Sequence, residues 1–95
     1  RIGRLNFDSV KRQASMGEAA LVLSVREMEV LEILLHHAGR VTAKEAIADR
    51  LTGWDDGVGE NAVEVYIHRL RRKLEGSGVA IRTLRGLGYL LETER

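Results

Sequence analysis

Apolar and polar residues alternate imperfectly over the first 23 positions, and Ile2, Leu5, Phe7, Val10, Leu21 and Leu23 are the residues expected to face inward. A period near two predicts short antiparallel strands. Asp8-Ser9 and Met16-Gly17-Glu18 supply the turns between them, because Asp, Ser and Gly accommodate tight backbone bends. From Ser24 onward the period changes. Ser24-Val25-Arg26-Glu27 has the spacing of a capping box, and Leu23 and Met28 stand at the two positions of a hydrophobic staple. Met28, Leu31, Leu35 and Ala38 continue an apolar stripe at helical spacing, and Gly39 is expected as the C′ residue that ends the helix. Thr42-Ala43-Lys44-Glu45 repeats the capping box, with Ile47 and Leu51 as the buried face of a second helix.

A glycine- and aspartate-rich segment, Thr52 to Glu60, reads as a long loop, and it holds the single tryptophan. Beyond it a third helix is predicted over about residues 61–75, with Val63, Ile67, Leu70 and Leu74 on one face. Gly76-Ser77-Gly78 stops it. Val79 to Glu92 then reads as two strands turning at Arg85-Gly86-Leu87-Gly88. The pattern as a whole predicts an α+β domain: an N-terminal antiparallel sheet, three helices with a tight corner between the first two, and a C-terminal β-hairpin.

Composition narrows the class. At 95 residues the chain fits one domain, spanning 1–95, and 44% hydrophobic residues with only 4% aromatics make an aliphatic core. There is no apolar run of the roughly 20 residues that span a bilayer, so a membrane role is not expected and the cytoplasm is the expected location. Without cysteine there is no thiolate chemistry, and no metal or cofactor is expected. His36-His37 does not change this, since adjacent helical residues point in different directions and no third ligand is evident. The Gly86-Leu87-Gly88 pair lacks the third glycine and the strand-to-helix context of a phosphate-binding loop. An enzyme is not expected either: no nucleophile and base, and no paired carboxylates, stand in a suggestive arrangement.

Net charge is only +1, but its distribution is uneven. Between His68 and Arg85 the chain carries Arg69, Arg71, Arg72, Lys73, Arg82 and Arg85 against one acid, Glu75. A local patch of one sign suits a polyanionic partner. A helical turn of about 100° per residue places Asn61, Val65, His68 and Arg72 opposite the buried stripe of the third helix, flanked by Arg69 and Arg71. Val65 is the odd member, an apolar group where water is expected. Duplex DNA accounts for the combination, because Arg and Asn can read base edges, an aliphatic group can pack on a thymine methyl, and the remaining cations meet phosphates. The competing account is a solvated charged face, or a domain of this shape used for protein association without specific DNA binding. A broad apolar outer face would mark the latter, and here Val65 alone interrupts the polar one.

In order and spacing the chain resembles the winged-helix effector domain of OmpR/PhoB-type response regulators of bacterial two-component systems. The residues that carry the likeness are Leu23 to Glu27, Ala38-Gly39-Arg40-Val41, Asn61 through Leu74, and Ile81 through Tyr89. The resemblance implies a winged helix-turn-helix acting in transcription regulation and phosphorelay signalling, with a receiver domain N-terminal to this segment. It places Asn61, Val65, His68 and Arg69 at positions that face bases, and Tyr66, Arg71, Arg72 and the wing residue Thr83 nearer the backbone. Arg85 falls where an arginine borders the minor groove, in a wing over about residues 79–92. The implied partners are double-stranded DNA in tandem direct-repeat half-sites, a sensor histidine kinase acting through the receiver, and RNA polymerase. The polymerase contact falls in the loop of Trp54, Asp55 and Asp56, where Trp54 is expected to fold back on the core and the aspartates are the better candidates. Two positions depart from the family pattern: position 61 is Asn where some relatives carry arginine, and position 66 is Tyr where histidine is common. Relatives also have a four-stranded N-terminal sheet, and since this chain begins close to it an incomplete strand set is an expectation here.

Overall fold

The computed structural model describes residues 3–51 and 60–93. The chain runs β1 (Leu5–Asp8), β2 (Gln13–Met16), β3 (Ala19–Leu21), α1 (Val25–His36), α2 (Lys44–Leu51), α3 (Glu60–Lys73), β4 (Val79–Leu84) and β5 (Gly88–Thr93). β1, β2 and β3 form an antiparallel sheet in that order, and β4 pairs with β5 in a separate hairpin. Among the described residues the N-terminal sheet therefore has three strands, not four.

Local chemistry explains most of the boundaries. The Asp8 carboxylate accepts the amides of Val10 and Lys11, each at 3.0 Å, which turns the chain out of β1. Val10 is consequently 90% exposed, against the inward position expected of it, and the small Ala14 on β2 is buried instead. Ile2 lies outside the described residues. At the start of α1 both halves of the capping box are formed: Ser24 Oγ accepts the Glu27 amide at 3.1 Å, and Glu27 Oε1 accepts the Ser24 amide at 3.0 Å. Leu23 and Met28 pack against the core as the staple requires.

Two expectations for α1 are corrected. The buried residues are Glu27, Val30, Leu31, Ile33 and Leu34, whereas Leu35 is half-buried and Ala38 exposed. This helix touches both of the others as well as β5, so a narrow stripe does not describe it. Its C-cap is His37, two residues before Gly39. Gly39 has a φ of 82°, and its amide reaches the Leu91 carbonyl at 3.0 Å, pinning the corner to β5.

The second capping box does not form. α2 begins at Lys44, Glu45 is exposed, and the buried Thr42 hydroxyl has no hydrogen-bond partner among the described residues. Thr42 instead pairs through its backbone with Tyr89, donating at 2.8 Å and accepting at 2.9 Å. Ile47 and Leu51 are buried as expected, and Val63, Ile67, Leu70 and Leu74 are each 1% exposed or less. After α3 the buried Ser77 does more than stop the helix. Its hydroxyl donates to Leu74 O at 2.6 Å, and its carbonyl accepts the Arg4 amide at 2.6 Å, tying β1 to the α3–β4 turn.

Candidate nucleic-acid interface

α3 is the base of the site. With one side of the helix committed to the core, the opposite side presents Val65, which is 46% exposed, together with exposed His68, Arg69 and Arg72. Among the described residues no acid pairs with Arg69, Arg72 or Arg85, so these charges are available to an anion. The side chain of Asn61 lies outside the described residues, as do Trp54, Asp55 and Asp56 of the expected polymerase loop.

The basic run is less uniform than its sequence. Arg71 and Lys73 project from opposite flanks of α3 and are both engaged within the domain. Arg71 Nε donates to the Ile81 carbonyl at 2.9 Å, and its Nη2 donates to Thr83 Oγ1, so this side chain grips the hairpin. Lys73 Nζ donates to Glu27 Oε1 at 2.6 Å and to the Val22 carbonyl at 2.8 Å, which fastens the other flank to the start of α1. Tyr66, expected near phosphates, is half-buried and packs against the core. Arg82 lies 3.8 Å from Glu92 across the hairpin. The cations facing outward from α3 are therefore Arg69 and Arg72.

Glu27 is a buried acid that serves two elements at once. Burial pushes its carboxyl up, but the Lys73 hydrogen bond, the Ser24 amide and the positive charges of Lys73 and Arg69 outweigh this and hold it below its ordinary value of 4.5. A charged Glu27 thus joins the cap of α1 to the end of α3.

β4 and β5 stand beside α3 as a wing whose tip carries exposed Arg85, Gly86 and Leu87. Gly86 adopts a φ of 78°, a conformation suited to glycine, and the turn is closed by the Leu87 amide on the Leu84 carbonyl at 2.9 Å. Between wing, α3 and α2 lies an open cleft of about 610 Å³, lined by Lys44, Glu64, His68, Arg71, Thr83 and Arg85 among others. Lys44 Nζ meets Glu64 Oε2 at 2.5 Å across it. Glu64 is not among the site residues expected from the sequence; its position one turn before His68 on α3 is the signal that it borders the site.

His68, Arg69, Arg72, Val65 and Arg85 are thus brought to exposed positions on α3 and the wing, Thr83 is exposed but held by Arg71, and Tyr66 turns inward. His36 is exposed and His37 half-buried, the latter with Nδ1 3.0 Å from the Ile33 carbonyl. Among the described residues no group of three His, Cys, Asp or Glu is placed to hold a metal ion, and no helix is long and apolar enough to cross a membrane.

An N-terminal sheet, three helices and a terminal hairpin flanking a cationic third helix define the winged helix-turn-helix class of DNA-binding domains. Residues 17–91 match the family described as transcriptional regulatory protein, C terminal, and the chain belongs to that family. It is 45% identical over 91 residues to the transcriptional regulatory protein QseB of Escherichia coli O157:H7, an alignment covering 96% of this chain and 41% of QseB. It is 39% identical over 87 residues to the response regulator protein PmrA of Pseudomonas aeruginosa, covering 92% of this chain and 38% of PmrA. The chain spans about two fifths of the length of these relatives. Among solved structures it resembles the Klebsiella pneumoniae RstA DNA-binding domain in complex with RstA box, with a TM-score of 0.83, 33% identity, and coverage of 97% of this chain and 94% of that one. The DNA-binding domain of CpxR from E. coli also gives a TM-score of 0.83, at 28% identity over 100% of this chain and 96% of that one.

Proposed function

We propose that this domain binds double-stranded DNA sequence-specifically for transcriptional regulation, as the output domain of a two-component response regulator working in the cytoplasm. α3 lies in the major groove, where Asn61, Val65, His68 and Arg69 read bases and Arg72 meets phosphate. The wing runs along the backbone through Thr83 and brings Arg85 to the minor groove, whose negative potential favours a guanidinium. The observation that carries this reading is the division of labour among the cations: Arg71 and Lys73 are spent inside the domain, while Arg69, Arg72 and Arg85 remain exposed and unpaired by acids among the described residues.

The role is binding without catalysis. Two copies are expected on tandem direct-repeat half-sites about one helical turn, roughly 10 to 10.5 base pairs, apart. A receiver domain preceding this segment, a sensor histidine kinase acting through it, and RNA polymerase meeting the loop of Trp54, Asp55 and Asp56 complete the proposal by analogy with the family.

The test is anisotropy-monitored binding to a random pool of short duplexes at two salt concentrations, followed by sequencing of the retained fraction. Enrichment of a repeated motif with salt-sensitive affinity is the expected result. No binding at low salt would replace this reading with a protein-association module.

A further inference from the structure

We propose that Arg71 is a positioning residue: it does not contact DNA through its own charge but locks the wing to α3, so that Arg85 and Arg69 are presented as one rigid unit. This inference rests on the DNA-binding reading above.

The argument is geometric. In the hairpin register Thr83 lies directly opposite Tyr89, and beyond that rung only the Leu84–Gly88 pair precedes the exposed tip. The rung is gripped from both sides. Arg71 holds Thr83 by its hydroxyl and the same strand, two residues earlier, by the Ile81 carbonyl, and the Thr42 backbone holds Tyr89, on the partner strand, through two hydrogen bonds. Ile81, Tyr89 and Leu91 anchor the base of the hairpin in the core, but Thr83 and residues 85–87 are exposed and have no such packing. An isolated two-stranded hairpin is marginal in water. The Arg71 fork is therefore the outermost side-chain tie between the reading helix and the wing. A planar guanidinium suits that task, since two of its donors are fixed in direction and one hydrogen bond orients the next. Holding the wing in its bound position before DNA arrives removes an ordering cost from association.

The experiment is a double-mutant cycle of Arg71→Gln with Arg85→Ala on the preferred duplex, with the folded state of each variant checked by thermal melting. The Arg85→Ala penalty is expected to be about tenfold in affinity in the wild type and below about threefold once Arg71 is replaced, because a loose wing no longer delivers Arg85. Penalties that simply multiply would mean that Arg71 acts as an independent phosphate contact, and the proposal would be overturned. Arg71→Lys, which keeps the positive charge but lacks the planar fork that reaches both the Ile81 carbonyl and the Thr83 hydroxyl, supplies the same cycle should Arg71→Gln fail to fold. A readout free of DNA accompanies it: in the free protein the Arg71 Nε proton should exchange with solvent more slowly than that of Arg72, and equal rates would refute the anchoring. A wild-type chain that binds no duplex overturns the functional reading and the role of Arg71 with it. A binding wild type with multiplicative penalties overturns the role of Arg71 alone.

Discussion

Gly88 approaches Thr42 so closely that a Cβ on the glycine would stand 2.1 Å from the Thr42 carbonyl oxygen and 2.8 Å from the Ala43 Cα. The contact is backbone on backbone and cannot be relieved by turning a side chain. It is where the wing leaves its turn and docks on the start of α2. Gly86, two residues earlier, has nothing within 4 Å of its notional Cβ and needs glycine only for its φ of 78°. Gly88→Ala should therefore cost ~3 kcal/mol or more, from the collision and from its own positive φ together. In a domain of this size that lowers the melting temperature by on the order of 10 °C or more. Gly86→Ala should cost only about 1 to 2 kcal/mol. Comparing the two melts checks the prediction, and equal losses would mean that the Thr42 clasp is not formed.

Glu27→Gln should destabilise the domain by about 1 to 3 kcal/mol near neutral pH, because Gln can still accept the Ser24 amide but cannot pair with Lys73. The pH dependence follows from the sign of the shift. The folded carboxyl titrates below its ordinary value of 4.5, so its contribution is fully present above that pH and is lost as the pH falls through the lower folded value. Wild type and Glu27→Gln should thus differ most at neutral pH and converge in acid. Denaturant titrations of both across this range would show it, and a constant gap between the curves would exclude a charged Glu27.

How far these features were legible in the sequence depended on where each residue's partner lies. The buried stripe of α3 was readable because one side of that helix meets the core and the other does not, so its period shows directly. α1 packs on the other helices and on β5, and a single narrow stripe was the wrong template for it. Ser24 and Thr42 carry the same local signature, yet only Ser24 caps a helix; Thr42 is taken by Tyr89, a partner 47 positions away that no local pattern reveals. The same holds for the basic run. Nothing in the neighbourhood of Arg71, Arg72 and Lys73 distinguishes them, but Arg71 finds a carbonyl 10 residues on and Lys73 a carboxylate 46 residues back.

Val65 is an exposed apolar residue on the face proposed to read bases, and stability gives no reason for it. Val65→Ala should leave the melting temperature nearly unchanged, since surface substitutions away from special features stay within about 0.5 kcal/mol. Binding should weaken, and chiefly for sites with thymine at one position, whose methyl group Val65 covers. Affinity for a site and its uracil-substituted counterpart separates the outcomes. A methyl preference that survives in the alanine variant would place Val65 elsewhere.

Arg69 and Arg72 are both exposed and both cationic, but they should fail differently when replaced. Arg69→Ala should cost about 1 to 3 kcal/mol on the preferred site and relax discrimination at one base position, because a base contact distinguishes sequences. Arg72→Ala should weaken all sequences by similar factors and reduce the salt slope by about one unit, as loss of one phosphate contact does. Neither substitution removes a hydrogen bond made by Arg71 or Lys73, and Arg69→Ala takes away only a through-space contribution to Glu27, so both variants should remain folded under the binding conditions. Binding isotherms on matched and mismatched duplexes at several salt concentrations resolve the pair. An Arg69→Ala variant that keeps its preference among sites would move base readout to the remaining residues of α3, with His68 the first to examine.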